Sequence, residues 1–391
     1  LWDKLLDEIN KHYDEMVEMR RYLHQYPELS FQEEKTAKFI ADTYEKLGIP
    51  YQTKVGGNGV VATLEGAKSG KKVALRADFD GLPIQDEKDV PYKSKVDGVM
   101  HACGHDGHTT TLLTIAKVMK KYQTELPGTI VFVHQHAEEL APGGAKPIVD
   151  SGILDDVDAV FGTHLWTNTP YGVVETSPRE FMAGADRFTI TIQGKGGHGA
   201  IPHQTKDAIV IGSQLVTNLQ QIVSRRVDPL NTAVITIGTF NAGTTFNIIA
   251  DTCTITGTVR TFDPELQDSI IEEMEKIIKG TCTGYDASYD FNYEKGYPPV
   301  VNHPKEAALV LRAASEVDGV EKAEEVVPSM TGEDFSYYLL KKPGAYFFTG
   351  AQKEGHFYPH HHPKFDIDER AMALAAKTLI HTVELYQKDN N

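Results

Sequence analysis

Apolar residues recur at Leu5, Leu6, Ile9, Tyr13, Met16, Val17 and Leu23 before the chain meets Pro27. This spacing places them on one face of a 3.6-residue period and predicts a single amphipathic opening helix. The period returns from Glu33 to Leu47, with Gly48 positioned to stop it. The texture then changes to short β-branched or apolar runs, each followed by a polar loop: Val60 to Leu64, Lys72 to Asp78, Thr129 to His134 and Asp158 to His164. A helical pattern from Thr109 to Tyr122 separates two of them. Such alternation predicts an α/β domain with a mostly parallel sheet and helices on both faces. In open sheets of this kind, ligands gather beyond the carboxyl ends of the strands.

From about Ala185 the order becomes strand (Arg187 to Gln193), helix (Lys206 to Arg226), two strands (Ala233 to Thr239, Thr252 to Val259), helix (Pro264 to Ile278) and strand (Ser288 to Tyr293). This is the split βαβ, ferredoxin-like order of a small α/β sandwich. Gly296-Tyr-Pro-Pro299 reads as a return linker, followed by helical patterns at 304–316, 333–341 and 368–387. The expectation is therefore a larger domain of residues 1–184 and 296–391, with a smaller one, 185–295, inserted into it.

A chain of 391 residues exceeds one ordinary core and agrees with two domains. Its apolar runs, such as Ile130 to Val133, are far shorter than the roughly 18 residues of a membrane span. A net charge of −16 argues against nucleic acid and anionic membrane as partners, since both demand basic patches. The acidic, amphipathic start lacks the basic-then-apolar order of a signal peptide. Cys103, Cys253 and Cys282 are too few for a disulfide framework, so a reducing, cytoplasmic location is expected.

Residues 101–108 read His-Ala-Cys-Gly-His-Asp-Gly-His, a dense set of soft and borderline metal donors. Cys103 and His105 precede a helix, Glu138 and Glu139 follow a strand, His164 closes another, and His360-His361-His362-Pro363 lies in the same expected domain. A thiolate, imidazoles and a carboxylate suit zinc or another first-row divalent ion. Adjacent glutamates suit divided labour, one binding metal and one moving a proton. His24, His134, His136 and His303 are assigned to packing or surface, and Cys253 and Cys282 to packing.

Seven ordered motifs carry a resemblance: Arg21-Tyr-Leu-His-Gln-Tyr-Pro-Glu28, Leu75-Arg-Ala-Asp-Phe-Asp-Gly-Leu-Pro83, Met100-His-Ala-Cys-Gly-His-Asp-Gly-His108, Gln135-His-Ala-Glu-Glu139, Gly197-His-Gly-Ala200, Thr331-Gly-Glu-Asp-Phe335 and His361-His-Pro363. Over nearly its whole length the chain resembles the dinuclear metal aminoacylase and carboxypeptidase superfamily. Within it, the chain is most similar to the amidohydrolase branch of hippurate hydrolases, N-acetyl-diaminopimelate deacetylases and auxin-conjugate hydrolases.

The resemblance implies two divalent ions per subunit; by ligand preference the thiolate favours zinc, while the carboxylate and imidazoles also accept manganese, cobalt or nickel. Cys103 would bridge them, with His105 and His164 completing one site and Glu139 and His361 the other. The branch's His-x-Pro pattern selects His361 among its neighbours. His101 and His108 become supporting residues, and Asp78 an acid that orients a ligand. Glu138 would be the general base and acid. His198, in the smaller lid or dimerisation domain, would steady the oxyanion, often across a homodimer. Arg260 and Asn247 would receive the substrate carboxylate.

The implied reaction is removal of an N-acetyl, benzoyl or similar acyl group from an amino acid. The alternative within the superfamily is a dipeptidase or aminopeptidase. From other classes, Cys103 could be a nucleophile with His105 or His108 as base, or the scaffold a metal-binding protein without catalysis. Chelation separates the first of these from a metalloenzyme.

Overall fold

The computed structural model describes residues 1–356 and 358–390. The chain divides into two compact units, one of Leu1–Phe181, Val301–Pro328 and Asp334–Asn391, the other of Met182–Val300 and Ser329–Glu333.

The larger unit is built on an eight-stranded sheet in the order Tyr51–Val55, Gly59–Glu65, Pro127–Gln135, Lys68–Asp78, Ala159–Pro170, Gly344–Gln352, Val173–Thr176 and Lys322–Glu325. The four central strands from Pro127–Gln135 to Gly344–Gln352 are mutually parallel, while antiparallel pairs lie toward the edges. Parallel strands are covered on both faces, and the sequence obeys this: Val73 to Asp78, Ile130 to Gln135 and Gly344 to Ala351 are buried without alternation. Helices His105–Lys121 and Arg370–Asp389 pack against these strands and share one apolar core with them.

Several expectations change. The opening helix is two helices, Trp2–Lys11 and Tyr13–Gln25, because His12 has ψ 7°, outside helical range. The strand expected to close at His164 runs on to Pro170. The Gly344–Gln352 strand, a continuous apolar run, and the Tyr51–Val55 edge strand were not expected. The helix placed at 333–341 begins only at Ser336, because Asp334 is drawn into hydrogen bonds from Arg76 and Gln135.

The smaller unit has a four-stranded antiparallel sheet in the order Ala233–Ala242, Thr252–Thr261, Gly184–Gln193 and Ser288–Tyr297, with helices Ala208–Gln221 and Pro264–Thr283. Asp207 and Asp263 accept backbone N–H groups at the two helix starts and cap them. The order is ferredoxin-like. Phe188, Ile190 and Ile192 pack against Ile211, Leu215, Ile270 and Met274, and Cys253 and Cys282 are buried in the same core. The unit extends beyond 185–295 at both ends and takes in Ser329–Glu333.

Candidate metal centre

Residues at the carboxyl ends of the central strands supply the site. Cys103 and His105 flank Gly104, whose φ of 92° favours glycine, and His105 opens the helix that runs to Lys121. Glu138 and Glu139 follow the Pro127–Gln135 strand after Ala137, itself at φ 51°. His164 projects from the Ala159–Pro170 strand, and the His361 backbone donates to Ala102 O at 2.8 Å.

Hydrogen bonds fix which nitrogen each imidazole offers. His105 Nδ1 donates to Asp80 Oδ1 at 3.0 Å, which leaves Nε2 3.7 Å from Glu139 Oε1 and 3.9 Å from Glu138 Oε2. His164 Nδ1 donates to the Leu165 carbonyl at 3.0 Å, so its Nε2 lone pair meets Cys103 Sγ at 3.5 Å. His361 Nε2 lies 3.2 Å from Glu139 Oε1. Ligand atoms of Cys103, His105 and His164 lie within 4.8 Å of one another, and so do those of Cys103, Glu139 and His361. His105 Nε2 is buried and lacks a hydrogen-bond partner, as a donor awaiting a cation would.

The electrostatics point the same way. Burial, with Glu139 and Glu138 close by, pushes the Cys103 thiol well up. Burial pulls His105 down, but Asp78, Asp80 and Glu139 outweigh it and raise the ring to about 10. The cluster is short of positive charge, which divalent cations supply. A nucleophilic thiol needs the opposite, a lowered pKa.

Asp80 takes the His105 Nδ1 proton, while Asp78 Oδ2 lies 3.7 Å from His105 Nε2. Asp78 accepts from His108 Nδ1 at 2.6 Å and from Arg76 Nη1 at 2.6 Å, and His108 Nε2 in turn accepts the Leu165 amide at 2.9 Å. Asp78 thus braces the backbone beside His164. Asp80 also accepts from Ser30 Oγ at 2.7 Å and from the Glu139 amide at 3.0 Å, so it aligns two candidate ligands together. Sequence reasoning missed it, although it sits two residues after Asp78 in the same motif.

His24 and His134 are fully buried in hydrogen-bonded packing, His24 between Asp106 and Asp86, His134 against Tyr44 Oη. His198, Asn247 and Arg260 belong to the smaller unit. His198 and Asn247 come together there: His198 pairs with Ile248 in a short antiparallel ladder, and Gly199 N donates to Asn247 O at 3.0 Å. His198 is exposed, and its Nδ1 accepts the Ala200 amide at 3.0 Å, which puts the ring proton on Nε2. Arg260 is half-buried on the Thr252–Thr261 strand, and burial lowers its pKa. Among the described residues, no helix is long and apolar enough to cross a membrane.

Known proteins resemble this chain over most of its length. Protein YhaA of Bacillus subtilis (strain 168) is 57% identical over 96% of this chain and 96% of its own. An N-acyl-L-amino acid amidohydrolase of Geobacillus stearothermophilus is 49% identical over 77% of this chain and 80% of its own. The crystal structure of Bacillus subtilis YXEP, described as a dinuclear metal binding peptidase from the M20 family, superposes with a TM-score of 0.84 at 34% identity, covering 97% of this chain and 99% of that one. Residues 74–385 match Peptidase family M20/M25/M40. The chain belongs to that family and is a hydrolase of amide or peptide bonds.

Proposed function

We propose that this protein is a metal-dependent amidohydrolase that removes the acyl group from an N-acyl amino acid, with two divalent cations held by Cys103, His105, His164, Glu139 and His361. The shared thiol carries the reading: Cys103 belongs to two three-donor groups, and Glu138 lies close to His105 and Glu139, one donor from each. When bound, the cations supply Lewis acidity, lowering the pKa of water and polarising the amide carbonyl. Glu138 takes a proton from the attacking water and returns it to the departing amine. His198, protonated on Nε2, donates to the developing oxyanion. Arg260 and Asn247 receive the substrate carboxylate.

The donor set suits zinc or manganese and accommodates cobalt or nickel. The Geobacillus relative's name favours an acyl substrate, while a Saccharolobus solfataricus relative, 40% identical, is a thermostable carboxypeptidase. Three free, buried cysteines support a cytoplasmic location. The Ala233–Ala242 strand lies at the edge of its sheet, which supports a homodimer formed through the smaller unit.

Replacing Glu138 with Gln should lower kcat by roughly 10²- to 10⁴-fold while metal content stays unchanged. Near-normal turnover would remove Glu138 from its role. A panel of N-acetyl, N-benzoyl and N-arylacetyl amino acids beside dipeptides decides the substrate; cleavage of dipeptides alone makes the enzyme a peptidase. Activity that survives chelation makes it a thiol hydrolase.

A further inference from the structure

We propose that His360 is a positioning residue that donates a hydrogen bond from Nδ1 to the sulfur of Cys103, tempering the thiolate shared by the two cation sites. The inference rests on the metal reading above. Thr167 N donates to His360 Nε2 at 3.1 Å. A backbone amide can only donate, so Nε2 must present its lone pair, and the ring is neutral with its hydrogen on Nδ1. That atom lies 3.7 Å from Cys103 Sγ. Ligation through Nδ1 would require moving the proton to Nε2, leaving the amide of buried Thr167 without its acceptor.

Three imidazoles therefore surround Cys103 and its partners in two different senses. His105 and His164 have their protons committed outward, to Asp80 and to the Leu165 carbonyl, and face inward with lone pairs. His360 has its acceptor committed outward and faces inward with a proton. Its plane is held by stacking on Trp166, with centroids 4.4 Å apart at 25°, and Trp166 is stacked in turn on Phe348 at 4.3 Å and 5°. A proton shared with sulfur lowers the energy of the sulfur lone pairs, weakens donation to bound metal and reduces the preference for soft ions.

The test uses the full chain loaded with cobalt(II). His360→Leu should move the sulfur-to-cobalt charge-transfer band to lower energy and raise the cadmium-to-manganese affinity ratio by about tenfold, the scale of one hydrogen bond. His360→Gln, whose carboxamide can accept from Thr167 and donate to sulfur, should restore both. Should the Leu variant fail to fold, His360→Asn, too short to reach both partners, takes its place. An unshifted band in the Leu variant, or in its Asn replacement, overturns the proposal. So does a Gln variant shifted as far as Leu, since His360 would then serve packing alone. If the unaltered protein binds cobalt with no sulfur band, Cys103 is no ligand; the metal reading fails, and this inference with it.

Discussion

Asp80→Asn removes a charge and almost no volume, yet the geometry expects it to weaken cation binding at least as much as Asp80→Ala. Asp80 Oδ1 accepts from His105 Nδ1, while Oδ2 accepts from Ser30 Oγ and the Glu139 amide. A carboxamide can satisfy only one side. With its oxygen toward Ser30 and Glu139, its amino group faces His105 Nδ1, which must become an acceptor. The ring proton then moves to Nε2, and the lone pair facing the donor cluster is lost. With the carboxamide reversed, its amino group opposes the Glu139 amide, and that donor loses its acceptor. Either arrangement sacrifices a hydrogen bond to a charged group, about 1.5–3 kcal/mol, or roughly 10- to 100-fold in affinity. Alanine removes the acceptor of His105, Ser30 and the Glu139 amide together but leaves the His105 tautomer free. Competition titration of zinc and manganese against a chromophoric chelator at neutral pH reads the effect, with circular dichroism to confirm folding. An asparagine variant within about threefold of the parent, or weakening by alanine alone, would refute the tautomer argument.

Two further outcomes follow from buried charge. Arg20 is fully buried and reaches Asp106 at 2.8 Å, Asp366 at 3.1 Å and Glu369 at 3.1 Å. In Arg20→Met, His24, Tyr92 and Lys353 still serve the carboxylates, so a loss of about 3 kcal/mol is expected. Urea unfolding followed through Trp2 and Trp166, both in the larger unit, measures it. Against their burial, Arg20 holds Asp106 and Asp366 below the usual carboxylate range, so their contribution is present above the unfolded pKa and lost as pH falls through the folded one. Arg20→Met forfeits part of that contribution, so the destabilisation should be full above about pH 4 and shrink as the pH falls below it; a constant loss counts against this account. Separately, the raised His105 and Cys103 hold protons that cations must displace. Metal uptake at neutral pH should release about two protons, and affinity should rise with pH. Calorimetry in buffers of different ionisation enthalpy would show it, and an enthalpy independent of buffer would contradict it.

Much of the site was legible because metal donors are chemically conspicuous and cluster at strand ends. Donor atoms of Cys103, His105 and His164, and of Cys103, Glu139 and His361, gather in two groups that share the thiol. What escaped depends on local direction. His360, His361 and His362 are consecutive, yet a φ of 66° at His361 sends them three ways: toward Cys103, toward Glu139, and to the Lys364 amide. Composition cannot allocate them. Asp78 and Asp80 likewise share one motif, and which acid meets His105 is decided only where the chain leaves the sheet. The Gly344–Gln352 strand was missed because burial on both faces erases the alternation by which strands are recognised.

That strand also constrains how the protein is made. It lies between Ala159–Pro170 and Val173–Thr176, neighbours in sequence that are kept apart in the sheet by a segment arriving long after both. A nascent chain must therefore leave a slot with two unpaired edges while the entire smaller unit is synthesised. Premature termination before residue 344 would leave that slot open, and open edges are what other chains add to. Late closure makes the synthesis of residues 177 to 343 the period in which this enzyme most needs a chaperone.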